Sequence, residues 1–158
     1  MEDADFIYKL RSNINNTQFV EMKPYENIER AKNFICRVKE DIAKDEVFFW
    51  GIELKNSGEV IGTICLWSFS KDNKRAEVGY ELMEGYQKKG YATEALRGVL
   101  DFARKNLSLK CLDAITHEDH LASIRLLLKN DFVVLGYANQ VMPDGEYGPE
   151  MKLFRKFL

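Results

Sequence analysis

One stretch of the sequence constrains the fold more than any other: a strand-like segment leads through a glycine-containing turn into a long amphipathic helix. The segment RAEVGYEL (Arg75–Leu82) is followed by the turn MEGYQKKG. Beyond the turn, apolar residues recur at intervals of three and four, which predicts one buried helical face. They are Ala92, Ala95, Leu96, Val99, Leu100 and Ala103. A helix of this kind needs a sheet to cover, so the sequence predicts a layered structure of helices on a sheet.

The remaining segments change period along the chain. Two helices are predicted before the sheet, at residues 3–13 and 28–42, and strand patterns at 47–54 and 60–69 flank the turn NSGE. After the long helix, strands are predicted at 109–116, 132–140 and 151–157, with a short helix at 121–129. The order ααβββαβαββ predicts one domain over residues 1–158, an α/β (α+β) fold. Its single mixed, mostly antiparallel sheet has helices on both faces.

Composition and charge argue against several classes of protein. The 158 residues are 46% hydrophobic and 30% charged, and their formal charge of −2 gives no basic footprint for nucleic acid. No signal peptide and no apolar run of about 20 residues is found, so we expect a cytoplasmic protein without a membrane partner. The three cysteines are expected to be reduced core residues, and the two histidines lack metal-ligand spacing, so no metal is expected. These residues are Cys36, Cys65, Cys111, His117 and His120.

The turn before the long helix has the chemistry of an anion site. The first N–H groups of a helix lack carbonyl partners, and the helix dipole adds partial positive charge there. Two familiar glycine motifs are absent, because Gly85 and Gly90 belong to neither GxxxxGK[ST] nor GxGxxG. What remains is the hexad QKKGYA (residues 87–92). On these residues alone it is either a phosphate cradle or a solvated turn.

With its flanks, this hexad resembles the motif of the Gcn5-related N-acetyltransferase (GNAT) superfamily. The run EVGYELMEGYQKKGYATEALRGVLDFA is similar to the branch that acetylates N-terminal amines of ribosomal proteins (RimJ/RimL-like). The segments HLASIRLLLKNDFVVLG and FWGIELKNSGEVIGTICLW are similar to that branch's later helix and its central hairpin. The resemblance covers about residues 3–156. It implies an acyl-CoA N-acyltransferase fold and acetyl-coenzyme A (acetyl-CoA) as co-substrate, with no metal.

The chain departs from the family pattern at three places. The family's first strand precedes its first helix, whereas this sequence begins directly at the helix, so the first strand is expected to be missing, relocated or supplied by something else. His120 stands where the family usually has asparagine, and Asp131 stands where it has glycine. Leu127 occupies the position of a general-acid tyrosine in other branches, and the resembled branch also tends to have leucine there.

The resemblance implies which residues bind the cofactor. Backbone N–H groups of the hexad would hold the pyrophosphate, and the strand Arg75–Leu82 would lie against the pantetheine arm. The implied residues are Val78, Gly79, Tyr80, Gln87, Lys88, Lys89, Gly90, Tyr91, Ala92, Thr93, His120 and Ser123. For His120 the alternative is that it only begins a helix. Trp67, Tyr80, Tyr86 and Tyr91 are expected to pack rather than to catalyse.

Two residues are candidates for catalysis. Glu77 alternates with core-like residues on its strand and shares the other face with Gly79 and Glu81, where two carboxylates would be costly unless they line a wet cleft. A solvated strand face is the alternative, and the resemblance implies that Glu77 is the general base. Ser123 corresponds to a serine beside the cofactor sulfur, where it would hydrogen-bond the leaving thiolate. A helix-capping role is its alternative.

These residues together predict direct transfer of acetyl from acetyl-CoA to a primary amine in a ternary complex. No cysteine is expected where a covalent acyl carrier would be needed. The acceptor would be a protein N-terminal amine. The alternatives are a small amine such as an antibiotic or polyamine, or a module that binds acetyl-CoA without turnover. The loops at residues 13–24 and 142–149 carry no acceptor pattern. A sheet that lacks its first strand has an open edge, so a homodimer is a further expectation.

Overall fold

The computed structural model describes residues 3–19, 22–142 and 145–158. Its helices are α1 (Ala4–Ser12), α2 (Ile14–Thr17), α3 (Ile28–Ala43), α4 (Tyr91–Lys105), α5 (Leu121–Lys129) and α6 (Ala138–Val141). Its strands are β1 (Phe48–Glu53), β2 (Val60–Trp67), β3 (Arg75–Leu82), β4 (Cys111–His117), β5 (Val133–Tyr137) and β6 (Met151–Phe157). A 3-10 turn, Glu84–Tyr86, stands between β3 and α4.

The six strands form one sheet in the order β1-β2-β3-β4-β6-β5. Every neighbouring pair is antiparallel except β3 and β4, which are parallel because α4 carries the chain from one to the other. This confirms the mixed, mostly antiparallel sheet. In the described part of the chain α1 is the first element, and β1 is an edge strand of the sheet.

The alternation along β3 decides what each face of the sheet covers. Ala76 and Val78 are buried on the face that α4 and α5 cover, where the main core lies. That core contains Ile64, Leu66, Leu96, Val99, Ala103, Leu109, Leu112, Ala114, Leu127, Phe132 and Phe154. On the opposite face α1 and α3 form a smaller cluster with Tyr25, and Phe34 of α3 meets Phe49 of β1 edge-on. Helices therefore flank both faces, as expected.

Two predicted features change in the structure, and one departure from the family pattern is explained. The strand predicted at 132–140 is shorter, Val133–Tyr137, and a β-bulge lies within it between Val134 and Gly136, whose φ is +133°. The chain then turns into α6. Cys36 is exposed on α3 and not a core residue. Asp131 has φ +60°, a left-handed conformation that explains why glycine suits this position.

Membrane-spanning helices and clusters of metal-ligating side chains were sought in the described part of the chain. Among those residues no helix is both long and apolar enough to cross a bilayer. The same residues contain no group of three or more His, Cys, Asp or Glu side chains arranged to hold a metal ion.

Candidate active site

The turn into α4 leaves open space at Gly90. Gly90 is the residue before the helix and has φ +91° and ψ −12°, a conformation that favours glycine. A Cβ added there would have nothing within 4 Å. No side chain caps the helix, and the first helical bond runs from the N–H of Glu94 to the carbonyl of Gly90. The N–H groups of Tyr91, Ala92 and Thr93 therefore precede the helical ladder, which fits an anion.

Side chains of the same turn bond to its backbone. The amide of Gln87 donates to the carbonyl of Leu82 at 3.0 Å, which ties the turn to the end of β3. The ammonium of Lys89 donates to the carbonyl of Gly85 at 2.9 Å. Lys88 is exposed with φ +61°. The hexad is thus a built turn with an exposed positive charge, and a pyrophosphate fits it.

Strands β3 and β4 diverge beside this turn. Their parallel pairing begins at Arg75 and Cys111 and ends at Glu77 and Asp113. Beyond that point β3 continues to Leu82 while still paired with β2, and β4 continues to His117 while still paired with β6. The backbone of β3 from Val78 onward therefore faces a gap in the sheet, where the resemblance puts the pantetheine arm.

Glu77 lies where this gap opens. Only 3% of the residue is exposed. Its carboxylate accepts a hydrogen bond from the Tyr147 hydroxyl at 3.1 Å. Burial raises the pKa of Glu77, while the hydroxyl groups of Ser68 and Tyr147 and the charge of Arg75 act against that rise. The result is a carboxyl group whose pKa lies closer to neutrality than that of an ordinary glutamate.

An ion cluster fixes the strands around Glu77. Asp113 is fully buried beside Glu77. The Asp113 carboxylate accepts hydrogen bonds from Nε (2.6 Å) and Nη2 (2.8 Å) of Arg155. Nη1 of Arg75 donates to the same carboxylate at 3.2 Å. Asp113 adds to the rise in the pKa of Glu77, because the two negative charges repel.

The second carboxylate of this face, Glu81, is not part of a wet cleft. Arg11 of α1 holds it with two bonds, from Nη2 at 2.5 Å and from Nε at 3.1 Å. The guanidinium also lies 3.9 Å from the ring centroid of Phe34 and donates to the Tyr25 hydroxyl. The pairing with Arg11 of the first helix therefore explains how the Glu81 carboxylate can be partly buried.

Ser123 lies on the other face of the sheet from Glu77. It is 6% exposed, and its hydroxyl is 2.7 Å from the Tyr80 hydroxyl. Burial raises the pKa of Tyr80 to about 12, so the phenol stays protonated. Tyr80 therefore packs in the core and also orients Ser123. Val78 points into the same core, so its contact with a cofactor would come from its backbone.

His120 stands directly before α5 without capping it. Its ring stacks on Phe19 at 4.5 Å with an interplanar angle of 22°. Burial and the neighbouring His117 lower the pKa of His120, so its imidazole is neutral at neutral pH. His117 lies 5.8 Å from the same phenylalanine. The segment after α2 thereby reaches the start of α5.

One expectation about an individual side chain is wrong, and a cysteine that was not expected near the site borders it. Trp67 was expected to pack, but it is 47% exposed and lies directly across from Glu77 in the β2–β3 pair. Cys65 lies across from Gly79, so a cysteine does border the site. Burial raises the pKa of that thiol to about 11, so it stays protonated and is a poor acyl carrier.

Four contributors escaped the sequence reasoning: Ser68, Tyr147, Arg11 and Phe19. Tyr147, Arg11 and Phe19 lie in segments distant from β3, whereas Ser68 lies in the connection between β2 and β3. No spacing motif marks any of the four. One local signal was available for Tyr147. A Cβ on Gly145 would lie 2.1 Å from the Tyr147 ring, so the glycine makes room for that ring.

Comparison with known proteins agrees with this geometry. The profile of the family described as "Acetyltransferase (GNAT) domain" matches residues 1–133. YoaA of Bacillus subtilis, an uncharacterised N-acetyltransferase, is 32% identical over 141 residues, which cover 89% of this chain and 80% of YoaA. The uncharacterised N-acetyltransferase p20 of Bacillus licheniformis is 28% identical over 127 residues, which cover 80% of this chain and 71% of p20.

Solved structures show the same fold. Ribosomal-protein-S5-alanine acetyltransferase of Vibrio fischeri superposes with a TM-score of 0.80 at 23% sequence identity. The superposition covers 99% of this chain and 88% of the Vibrio fischeri chain. Spermidine N-acetyltransferase of Vibrio cholerae, in complex with CoA and spermine, superposes with a TM-score of 0.79 at 19% sequence identity. The superposition covers 99% of this chain and 89% of the Vibrio cholerae chain. The profile match and the similarity to YoaA identify the family, whereas the solved structures identify only the fold. The chain is an N-acetyltransferase of the GNAT family, and acetyl-CoA is its acetyl donor.

Proposed function

We propose that this chain, as one acetyltransferase domain, transfers acetyl from acetyl-CoA to a primary amine by direct attack in a ternary complex, with Glu77 as the general base. One observation carries the proposal. The carboxylate of Glu77 is buried where β3 and β4 separate, and its pKa is raised by that burial. A base with a pKa displaced toward neutrality, beside a gap that leads to an anion cradle, suits proton removal from an amine.

The cradle would hold the pyrophosphate of acetyl-CoA, and the gap would hold its pantetheine arm. The residues that would bind it are Val78, Gly79, Tyr80, Gln87, Lys88, Lys89, Gly90, Tyr91, Ala92, Thr93, His120 and Ser123. When bound, acetyl-CoA supplies an acetyl group already activated as a thioester. A backbone N–H of β3 beyond Glu77 would donate to the carbonyl oxygen, where negative charge develops.

A matched pair of glycine variants tests the cradle. Gly90 and Gly58 both have left-handed φ values, +91° and +71°, and an added Cβ meets nothing within 4 Å at either. Alanine should therefore cost each a similar backbone strain of about 1 kcal/mol. We expect Gly90→Ala to weaken acetyl-CoA binding about tenfold or more in calorimetric titration, because the methyl group would stand where the phosphates approach. Gly58→Ala should bind normally, and equal losses in both variants would argue against the cradle.

Glu77 would take a proton from the amine through a water molecule. An α-amine has an ordinary pKa of about 7.7–8.0, whereas a lysine side chain lies near 10.4. A carboxylate is a weak base, so it suits the α-amine better than the lysine. Replacing Glu77 with Gln should lower kcat/KM by about 10²–10⁴-fold for a poorly nucleophilic amine. An unchanged rate and pH profile would show that Glu77 is not the base.

Ser123 would stabilise the departing sulfur. Its hydroxyl can accept from Tyr80 and donate to a thiolate in the gap, and a hydrogen bond to a charged acceptor is stronger than a neutral one. The Ser123→Ala variant should keep its affinity for acetyl-CoA and lose about tenfold in kcat, since the thiolate bears its charge in the transition state. Loss of affinity with unchanged kcat would assign Ser123 to cofactor binding alone.

A protein N-terminal amine is the acceptor that the site favours. A polyamine carries several ammonium groups that carboxylates near the site would hold, and one such carboxylate, Glu81, is already paired with Arg11. The Vibrio fischeri protein, named for a ribosomal-protein alanine, also supports this choice, whereas the Vibrio cholerae enzyme acts on spermidine. A small-amine acceptor is therefore the second candidate.

A thiol-release screen separates the candidates. Short peptides with a free N-terminus, their N-formylated controls, and spermidine would be offered with acetyl-CoA. Release with the free peptides alone supports the proposal, and release with spermidine alone supports the second candidate. Binding of acetyl-CoA without release over the whole panel would indicate a module without turnover.

Two further predictions are a homodimer through the β1 edge, tested by sedimentation, and a cytoplasmic location, tested by cell fractionation.

A further inference from the structure

Two hydroxyl groups act on the carboxylate of Glu77: the Tyr147 hydroxyl donates to it at 3.1 Å, and the Ser68 hydroxyl lowers its pKa. One belongs to Ser68, the residue directly after β2, and the other belongs to Tyr147, in the segment before β6. The two donors come from segments far apart in the chain and meet at one buried acid. We call Ser68 and Tyr147 the hydroxyl clamp.

The Ser68 donor is fixed by the backbone. Ser68 has φ +53°, a left-handed conformation that is uncommon outside glycine, asparagine and aspartate. It follows Trp67, the residue that pairs with Glu77 across β2 and β3. The turn that contains Ser68 therefore begins next to the residue that lies opposite Glu77.

The Tyr147 donor is fixed by packing. Its ring lies against the cluster of Ala138, Met151 and Leu153. Gly145 approaches the ring so closely that any side chain there would collide with it. Burial, followed by the charge of Glu77, raises the pKa of Tyr147 to about 12. The phenol therefore keeps its proton over the whole working range of an enzyme and remains a donor.

We propose that Ser68 and Tyr147 are positioning residues that keep the Glu77 carboxylate ionised and oriented toward the acceptor amine. The inference rests on the proposed role of Glu77 as the base. Burial favours the protonated form of Glu77, and a protonated carboxyl group cannot accept a proton from the amine. The clamp opposes that effect, because the Tyr147 hydroxyl donates to the carboxylate at 3.1 Å and the Ser68 hydroxyl lowers its pKa.

Other groups near Glu77 act on the same balance. They are Arg75 on its own strand, Asp113 on β4, Arg155 on β6 through Asp113, and Cys65 on β2. None of them is changed by removing a clamp hydroxyl. A shift in the titration of Glu77 on removing one hydroxyl is therefore attributable to that hydroxyl.

The test is the pH dependence of kcat/KM with acetyl-CoA saturating and the best peptide of the screen varied. In Tyr147→Phe and in Ser68→Ala the acidic limb should move to higher pH by about one pH unit. The rate on the alkaline plateau should stay within a few-fold of the native value. Tyr137→Phe is the matched control, because it removes a phenol that donates to another carboxylate, Glu118, at 2.7 Å. Its profile should not move.

Two results would overturn the clamp. The first is an unmoved acidic limb in both clamp variants while Glu77→Gln still abolishes the rate. The second is a higher KM for the peptide in Tyr147→Phe at every pH with no shift of the limb, which would make Tyr147 an acceptor contact. Failure of the base assignment looks different, because Glu77→Gln would then retain the native rate. Thermal melts of each variant confirm that the comparison is made between folded proteins.

Discussion

Removal of the Asp113 carboxylate should destabilise this protein more than removal of any exposed charge. Asp113 is 0% exposed and receives three hydrogen bonds from two arginines, Arg155 and Arg75. Its backbone pairs with Glu77 on one side and with Arg155 on the other. The Asp113→Ala variant thus leaves two guanidinium groups without their shared anion, at the seam that joins β3, β4 and β6.

The magnitude follows from burial. Breaking a buried ion pair by removing one partner costs about 3–5 kcal/mol. Here the arginine side chains are 26% and 25% exposed, so both can turn partly toward water. The lower end, about 3 kcal/mol, is therefore expected. For a domain of this size each kcal/mol lowers Tm by about 2–4 °C, so the fall in Tm should be about 6–12 °C.

The chain offers a matched control for this variant. Asp101 also contacts two cations, Arg104 at 3.3 Å and Lys105 at 3.1 Å, but its side chain is 58% exposed. The Asp101→Ala variant should cost less than about 1 kcal/mol. Urea unfolding of both variants gives the two free energies, and repetition at 1 M salt should leave the Asp113 effect largely intact. If Asp113→Ala cost no more than Asp101→Ala, the reasoning about buried charge would be refuted.

Three further variants test the site. Glu77→Gln should raise Tm at pH 7 but not near pH 3, because a raised folded pKa costs stability as pH rises from the unfolded value through the folded one; a gain independent of pH would contradict this. Gly79→Ala should lose about 1 kcal/mol in urea, since its Cβ meets Sγ of Cys65 at 3.2 Å, and Cys65→Ala in the same chain should restore it. Tyr80→Phe should lose about 1–2 kcal/mol and lower kcat, because it strips Ser123 of its partner; unchanged stability would contradict the buried bond.

Local patterns predicted most of the scaffold. The period of two in β1 to β3, the period near 3.6 in α4 and the turn chemistry between them depend only on neighbouring residues. The structure confirms these elements and the sheet that they form. The short helices α2 (INNT) and α6 (ANQV) were missed, because a helix of about one turn shows no periodicity. The bulge at Gly136 was missed for a different reason, since only the pairing of β5 with β6 reveals it.

The partners of the charged residues could not be predicted. Arg11 and Glu81 are 70 positions apart, as are Glu77 and Tyr147. No local rule links such pairs, because the topology of the sheet and the packing of α1 decide which side chains meet. The sequence therefore indicated that carboxylates on an inner face needed an explanation, and the explanation lay in segments that carry no motif.

The alternation of β3 suggests how one strand can serve both ends of the proposed reaction. Glu77 reaches the face covered by α1 and α3, while Tyr80 reaches the face covered by α4 and α5 and holds Ser123 there. The pairing of β3 with β4 ends at Glu77, and the gap between the two strands begins there. An amine would then be deprotonated on one side while the thiolate is stabilised on the other, so the acetyl group needs no carrier between them. The protonated thiol of Cys65 agrees with that direct route.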